Sequence, residues 1–311
     1  MSSVLLRLAR LFPIAGWFAN LLRFSGLRTG LRVEISNAGT FRFGKSVTIG
    51  EGSHVDVAHD SLVEICDAVS ISRNVHLASS QGACVQIGAR TTVQDGCRIY
   101  GDVTIGQRCI LAPNVFISSG THTFDAVPHL PIQIQEVRTP GDSRSIRIFS
   151  DCWLGINSVI LRGVTVGRGC VVGANSVVTK DLSPYSVAAG NPAQVVRCRL
   201  EFLSKGRIEA SNEEDDPYFY DGFELAGSES KKGGKVAVDR EFILALRKPG
   251  ARKLRLNASG QRAIIDYGGQ QRTLEFSPKV LEFELGPDTG DVRFLQMKSS
   301  GQCRIFWAEL L

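Results

Sequence analysis

A six-residue beat of aliphatic side chains runs from Ile87 to Thr179 and stops only once. Its lead positions are Ile87, Val93, Ile99, Ile105, Leu111 and Ile117; after a 25-residue interruption, Thr123 to Arg147, it resumes at Ile148, Leu154, Ile160, Val166, Val172 and Val178. This period fits neither the 3.6-residue turn of an α-helix nor the two-residue alternation of a strand. It suits short strands joined at corners, with each lead aliphatic pointing into a prism-like parallel β-helix, because a fixed internal period marks a stacked architecture. The interruption then predicts a loop thrown out from a rigid column, where binding and chemistry concentrate. From about Val33 to Val85 the beat is looser: Ile49 and Val55 are in step, then Ile65, Ile71 and Leu77 follow after small slips. These residues predict the first coils, with short insertions at corners.

The expected class is all-β, with appendages at both ends of the column. Residues 1–32 carry Arg7, Arg10, Arg23, Arg28 and Arg32 and no acid, and Val4, Leu8, Leu11, Ala15, Phe18 and Leu22 share one helical face. Pro13 splits this segment into two short helices. Its longest uncharged run, Leu11 to Leu22, is 12 residues, short of the roughly 20 that span a bilayer. A helix capping the column and a peripheral anchor on anionic lipid at the inner membrane face both fit. The column occupies residues 33–200, with its loop at 123–147. Residues 201–230 read as an acidic linker around Glu213, Glu214, Asp215 and Asp216, and 231–311 as a small β-sandwich of short alternating strands.

Composition removes several classes. The net charge of +5 comes without a basic cluster interleaved with aromatic residues, so nucleic acid is not an expected partner. Four of the eight cysteines, Cys97, Cys109, Cys152 and Cys170, fall four residues after a lead aliphatic, where the repeat places a small inward side chain. No zinc-type CxxC spacing occurs. A reducing, cytoplasmic compartment is the expectation.

His122 stands at the sixth position of its hexad, at the root of the loop. A neutral imidazole suits removal of a proton from an attacking hydroxyl. His54 and His76 also occupy sixth positions, so what singles out His122 is its place beside the loop and the CysTrpLeuGly coil (152–155). Asp125 is expected to orient the ring, or simply to cap the loop. The tight coil at Gly155 is the expected source of a backbone N–H for a developing oxyanion, and Trp153 is expected to wall the acceptor.

The ordered set SerGlyThrHis (119–122), the loop, CysTrpLeuGly, ValThrLysAsp (178–181) and GlyAsnProAla (190–193) resembles the hexapeptide-repeat acyltransferases, most of all the O-acetyltransferases of sugars and bacterial surface polysaccharides. The resemblance is strong from Ile87 to Arg197, weak before it and absent after residue 200. It implies a left-handed parallel β-helix assembled as a homotrimer, with acetyl-CoA in grooves between subunits, no metal, and His122 as general base. Carried over residue by residue, Gly173, Ala174, Thr179, Lys180 and Arg197 would hold CoA, small residues beside the pantetheine arm and cations on the phosphates. The chain departs from the family at Gln194, where a basic residue is frequent. The expected function is acetyl transfer to a saccharide hydroxyl of a surface polysaccharide or lipid-linked precursor; an N-acetyltransferase of amino-sugar nucleotides and a non-catalytic scaffold are the alternatives. A zinc carbonic anhydrase on the same column would need a ligand at Ile117, which cannot be one.

Overall fold

A computed structural model describes residues 26–139, 141–199, 207–212, 215, 219, 235–237, 241–246, 251–260, 263–267, 270–274, 280–284, 293–299 and 303–311. Of the expected helical segment, residues 1–32, the first 25 lie outside the described residues; the rest is not helical, since Arg28–Thr29 pairs with Thr48–Ile49 as a strand of the column and Leu27 is buried in its core. The chain divides into two units, Met1–Arg199 and Leu200–Leu311.

The first unit is a parallel β-solenoid whose strands form three sheets of nine, seven and six members. Strand partners lie one coil apart in sequence: Thr92 pairs with Ile110, Arg98 with Phe116 and Val103 with Val85. The six-residue leads all point inward. Ile87, Ile99, Leu111, Ile117, Leu154 and Ile160 are 0% exposed, stacked in one core from Leu27 to Ala188. Cys97, Cys109, Cys152 and Cys170 are buried and free. Burial pushes the Cys97 thiol up to about 11, so it packs as a small apolar group. Because one methyl group in such a core is felt through lost transfer and a residual void, Ile99→Val should cost about 1 kcal/mol, read as a lowered thermal midpoint.

The slips in the early coils have one location. From a lead on the nine-stranded sheet to the next on the seven-stranded sheet the step is always six, as in Ile49 to Val55, Val93 to Ile99 and Leu154 to Ile160. It is also six from the six-stranded to the nine-stranded sheet, as in Ile65 to Ile71 and Ile148 to Leu154. Only the edge between the seven- and six-stranded sheets varies. Val55 to Ile65 and Leu77 to Ile87 are ten residues, Ile99 to Ile105 six, and Ile117 to Ile148 thirty-one. The early insertions and the long loop therefore leave the column along the same edge.

The edge between the nine- and seven-stranded sheets is held by left-handed residues. Asn74, Asn114, Asn157 and Asn175 have φ of 55–58°, with Gly52 and Gly96 at equivalent corners. Asparagine tolerates this region and its amide can bond locally. Here the amides form a ladder: Asn114 Nδ2 donates to Asn157 Oδ1 at 3.2 Å, and Asn157 Nδ2 to Asn175 Oδ1 at 3.0 Å.

The column ends in a hairpin. Ser186–Gly190 continues the nine-stranded sheet and turns through a cis Asn191–Pro192 bond; Ala193–Cys198 then returns antiparallel. Gly190, at φ 104°, permits the reversal. Arg199 fastens the return, its Nη1 donating to Asp151 Oδ2 at 2.8 Å and to Gly169 O at 3.1 Å.

The second unit holds two antiparallel sheets sharing one buried cluster, with Leu244 and Leu246 from one sheet and Leu254, Leu256, Ile305 and Leu310 from the other. Two of its short strands, Lys235–Ala237 and Glu241–Leu246, belong to different sheets. Part of the expected linker is also structured. Arg207–Glu209 pairs with Cys303–Leu310, and Asp215 of the acidic run is 2% exposed, its Oδ2 accepting the Glu209 N–H at 2.9 Å. Trp307 is half-buried beneath the Arg207 guanidinium, 4.0 Å from its ring centre.

Candidate active site

The loop that interrupts the column is closed at its root and braced within. Gly120 bridges Ser143, Arg144 N–H donates to Ser119 O at 2.9 Å, and Asp142 accepts from Arg144 and Arg162 at 2.7 and 2.6 Å. The Arg144 guanidinium, with Arg162 beyond it, holds the Asp142 carboxyl below its usual range. Within the loop a short helix, α1 (Ile132–Arg138), turns one buried side chain inward. Gln135 is 2% exposed; its Nε2 donates to Phe124 O and Leu130 O, and its Oε1 accepts the Val127 N–H.

This fold-back places Glu136 beside His122. Glu136 Oε2 lies 3.5 Å from His122 Nδ1 and accepts the Thr123 N–H at 2.7 Å. The Thr123 N–H is the main reason that the Glu136 carboxyl sits below its usual range, with the Gly141 N–H and His122 adding to it. A carboxylate facing Nδ1 favours the tautomer with the proton there, which leaves Nε2 as the free base. The His122 side chain is 83% exposed, so Nε2 opens to solvent. Asp125, the acid expected in this role, is exposed, and no hydrogen bond among the described residues joins it to His122. The carboxylate beside the ring is instead Glu136, fourteen residues on, brought back by α1.

Because Glu136 is held ionised by the fold, its contribution to loop closure is present above the ordinary carboxylate value of about 4.3. It is lost as pH falls through the lower folded value. Protection of the Thr123 amide against hydrogen exchange should therefore persist through mildly acidic pH and collapse below the usual glutamate range. Protection that does not weaken at any acidic pH at which the column stays folded would contradict this.

Trp153 points outward from the nine-stranded sheet and is 52% exposed, between Ile110 and Val171 in the sheet. The Gly155 N–H is not free for an oxyanion: it donates to Val172 O at 2.8 Å as a rung between coils. Gly155 is required for another reason. A Cβ there would lie 2.6 Å from Ala174 N and 2.8 Å from Gly173 C. The next residue supplies what Gly155 cannot, since among the described residues the N–H groups of Ile156 and Ala174 have no acceptor, while those of Asn157, Ser158, Gly173 and Asn175 are all taken. A motif cannot reveal which amide of a corner is left over; the coil-to-coil hydrogen bonds do.

The remaining expected residues are exposed or half-buried. Gly173 is half-buried against Ala189, Ala174 is exposed, and Thr179 and Lys180 follow Val177–Val178 on the outside of the column. Arg197 and Gln194 are exposed on the returning strand. The candidate residues thus form two groups. His122, Thr179 and Lys180 lie along the edge between the seven- and six-stranded sheets. Trp153, Gly155, Ile156, Gly173 and Ala174 lie on the nine-stranded sheet and its edge with the seven-stranded sheet, and Arg197 is on the nine-stranded sheet. Within one protomer the width of the seven-stranded sheet separates the groups. Among the described residues no three His, Cys, Asp or Glu side chains cluster as a metal site, and no helix is long and apolar enough to cross a membrane.

The family model for the bacterial transferase hexapeptide (six repeats) matches residues 84–119 and 145–180, the two stretches on either side of the loop. A putative lipopolysaccharide biosynthesis O-acetyl transferase, WbbJ, of Escherichia coli (strain K12) is 30% identical over 169 residues, 52% of this chain and 74% of the relative. The galactoside O-acetyltransferase of the same strain is 33% identical over 153 residues, 48% of this chain and 65% of the relative. A probable acetyltransferase of Mycobacterium tuberculosis is 39% identical over 101 residues, 32% of each chain. The chain thus spans from about a third to three quarters of the length of these curated relatives. A solved hexapeptide-repeat acetyltransferase of Vibrio cholerae, crystallised with acetyl coenzyme A, aligns with 63% of this chain and 84% of its own at 21% identity and a TM-score of 0.34.

Proposed function

The chain belongs to the bacterial hexapeptide-repeat transferases, and from that premise we propose that it transfers an acetyl group from acetyl-CoA to a saccharide hydroxyl, with His122 as general base. One observation carries the reading: an imidazole at the loop root has a carboxylate, Glu136, on Nδ1 and an open Nε2. In the proposed step Nε2 removes the hydroxyl proton as the sugar oxygen attacks the thioester carbonyl and the new C–O bond forms. The charge that develops on the carbonyl oxygen is met by the unpaired Ile156 N–H, a fixed donor of the kind such sites use. When the C–S bond breaks, the imidazolium returns its proton to the departing sulfur. Glu136 orients the ring and stabilises its charged form.

Trp153 walls the acceptor side of this site. Ala174 and Gly173 let the pantetheine arm lie close to the backbone, and Thr179, Lys180 and Arg197 hold the nucleotide end. The separation of the two groups of residues supports a site shared between neighbours in a homotrimer. The names of the relatives, one in lipopolysaccharide biosynthesis and one acting on galactosides, support a surface polysaccharide or its lipid-linked precursor as acceptor. The basic first 32 residues suit an acceptor held at the inner membrane face.

The test is acetyl-CoA turnover across a panel of sugars, oligosaccharides and amino-sugar nucleotides, followed by location of the new acetyl group. Ester formation at a sugar hydroxyl is expected. Amide formation on an amino sugar would replace the proposal, and no turnover with any acceptor would remove it.

A further inference from the structure

The helix inside the loop is held by an unusual kind of contact. α1 has seven residues, Ile132–Arg138, and its N-cap, Pro131, makes no side-chain capping bond. A helix this short is marginal by itself and ordinarily stands by burying an apolar face. Here the apolar side chains point the other way: Ile132, Ile134 and Val137 are all exposed. The one residue that α1 buries is polar, Gln135.

The Gln135 carboxamide does what an apolar face would otherwise do. Its Nε2 donates to Phe124 O at 3.2 Å and to Leu130 O at 2.8 Å, and its Oε1 accepts the Val127 N–H at 3.0 Å. Three backbone groups of the outgoing arm of the loop are thereby satisfied by one side chain. An amide suits them because it carries two N–H donors at one end and an acceptor at the other. Turned over, it would set its oxygen against two carbonyls and its nitrogen against an N–H, and all three bonds would be lost. Removing it leaves those backbone groups to find water or open the loop.

The consequence falls on the next residue. Glu136 Oε2 takes the Thr123 N–H at 2.7 Å and faces His122 Nδ1 at 3.5 Å, while its Oε1 accepts the Gly141 N–H at 3.5 Å. Thr123 begins the loop and Gly141 lies near its end, so one carboxylate meets both only while α1 is folded back. Among the described residues the hydrogen bonds of the Gln135 side chain are all to loop backbone. We propose that Gln135 is a positioning residue: its buried carboxamide holds Glu136 against His122 and so fixes which ring nitrogen carries the proton. Its effect on rate rests on the acetyl-transfer reading; its effect on the ring does not.

The experiment uses the full chain with ¹⁵N-labelled histidine, at mildly alkaline pH where imidazoles are neutral. In the wild type the His122 resonances should place the proton on Nδ1. In Gln135→Met, of similar length but with no donor, the ring should become a mixture of tautomers. Protection of the Thr123 amide should fall at least tenfold, and the thermal midpoint of the column should not move. The turnover number should drop by roughly tenfold, short of what the base itself is worth, with KM for acetyl-CoA within about twofold of wild type. Gln135→Glu, of the same shape but with no donor for the two carbonyls, should repeat these changes. Gln135→Met combined with Glu136→Gln should be no slower than the worse single variant, because both act through one contact. Val137→Ala, at the exposed neighbour of Glu136, should leave the tautomer and the exchange as in the wild type. A proton that stays on Nδ1 in both Gln135 variants, a wild-type ring that is already a mixture, or losses that multiply in the double variant would overturn the proposal. A shifted tautomer in Gln135→Met, with a wild type that acetylates no acceptor, upholds the positioning role and rejects the acetyl-transfer reading, so the two fail separately.

Discussion

His122→Ala should lower acetyl transfer by roughly 10²–10⁴-fold, the usual worth of a positioned general base, while leaving binding of acetyl-CoA and the mass of the assembly unchanged. The expectation follows from where the side chain sits. Its side chain is 83% exposed, and among the described residues its charged contact is with Glu136, so no core contact is lost with it. The decline should fall on kcat, because the imidazole acts when the hydroxyl proton moves. Glu136→Gln should give a smaller loss, since Gln still fills the place beside Nδ1 but cannot stabilise the imidazolium. A turnover number for His122→Ala within threefold of wild type would contradict the assigned base.

Gly155→Val should damage both the column and the reaction. The new Cβ would meet three backbone atoms of the next coil, Ala174 N at 2.6 Å, Gly173 C and Val172 O at 2.8 Å each. Backbone cannot rotate away as a side-chain tip can, so the coils must separate or shear. Overpacking of this kind costs on the order of 3 kcal/mol. The same movement shifts the Ile156 and Ala174 amides, and a displacement of about 1 Å in a site can cost 10²-fold in rate. A large fall in the thermal midpoint together with a large fall in turnover is therefore expected. Normal stability with turnover lost would mean that Gly155 touches substrate; normal turnover would mean that these amides take no part.

What could be read directly from the chain depended on what each side chain reports. The aliphatic leads report the inside of the column, because a fixed period and a buried stack are the same fact seen along and across the chain; Ile87 to Val178 fell into place for that reason. His122 was legible through its position at the break. Glu136 was not, since its approach depends on how Gln135 and α1 fold the loop back on itself, whereas Asp125, nearer in sequence, makes no hydrogen bond to the ring among the described residues. Gly155 marked the coil but not the amide: the sequence shows a glycine, but not that its own N–H is spent on Val172 while that of Ile156 is unspent among the described residues. In the second unit, alternation predicted strands, yet the strand at Arg207–Glu209 is too short to stand out from an acidic stretch.

Two of the prism's edges advance by six residues without exception, and the third accepts steps of six, eight, ten or thirty-one. The cost of closing a longer loop grows only logarithmically, about 0.6 kcal/mol for each doubling. Chain length at this seam is therefore nearly uncoupled from the integrity of the rest. New segments can be grafted or exchanged there without retiming the stack, and the residue at the seam's root keeps its position whatever follows it. A molecule built this way can change which acceptor it admits by altering one corner of one coil, while Gly173 and Ala174, which would lie beside the donor's pantetheine arm, stay fixed on an unvarying edge.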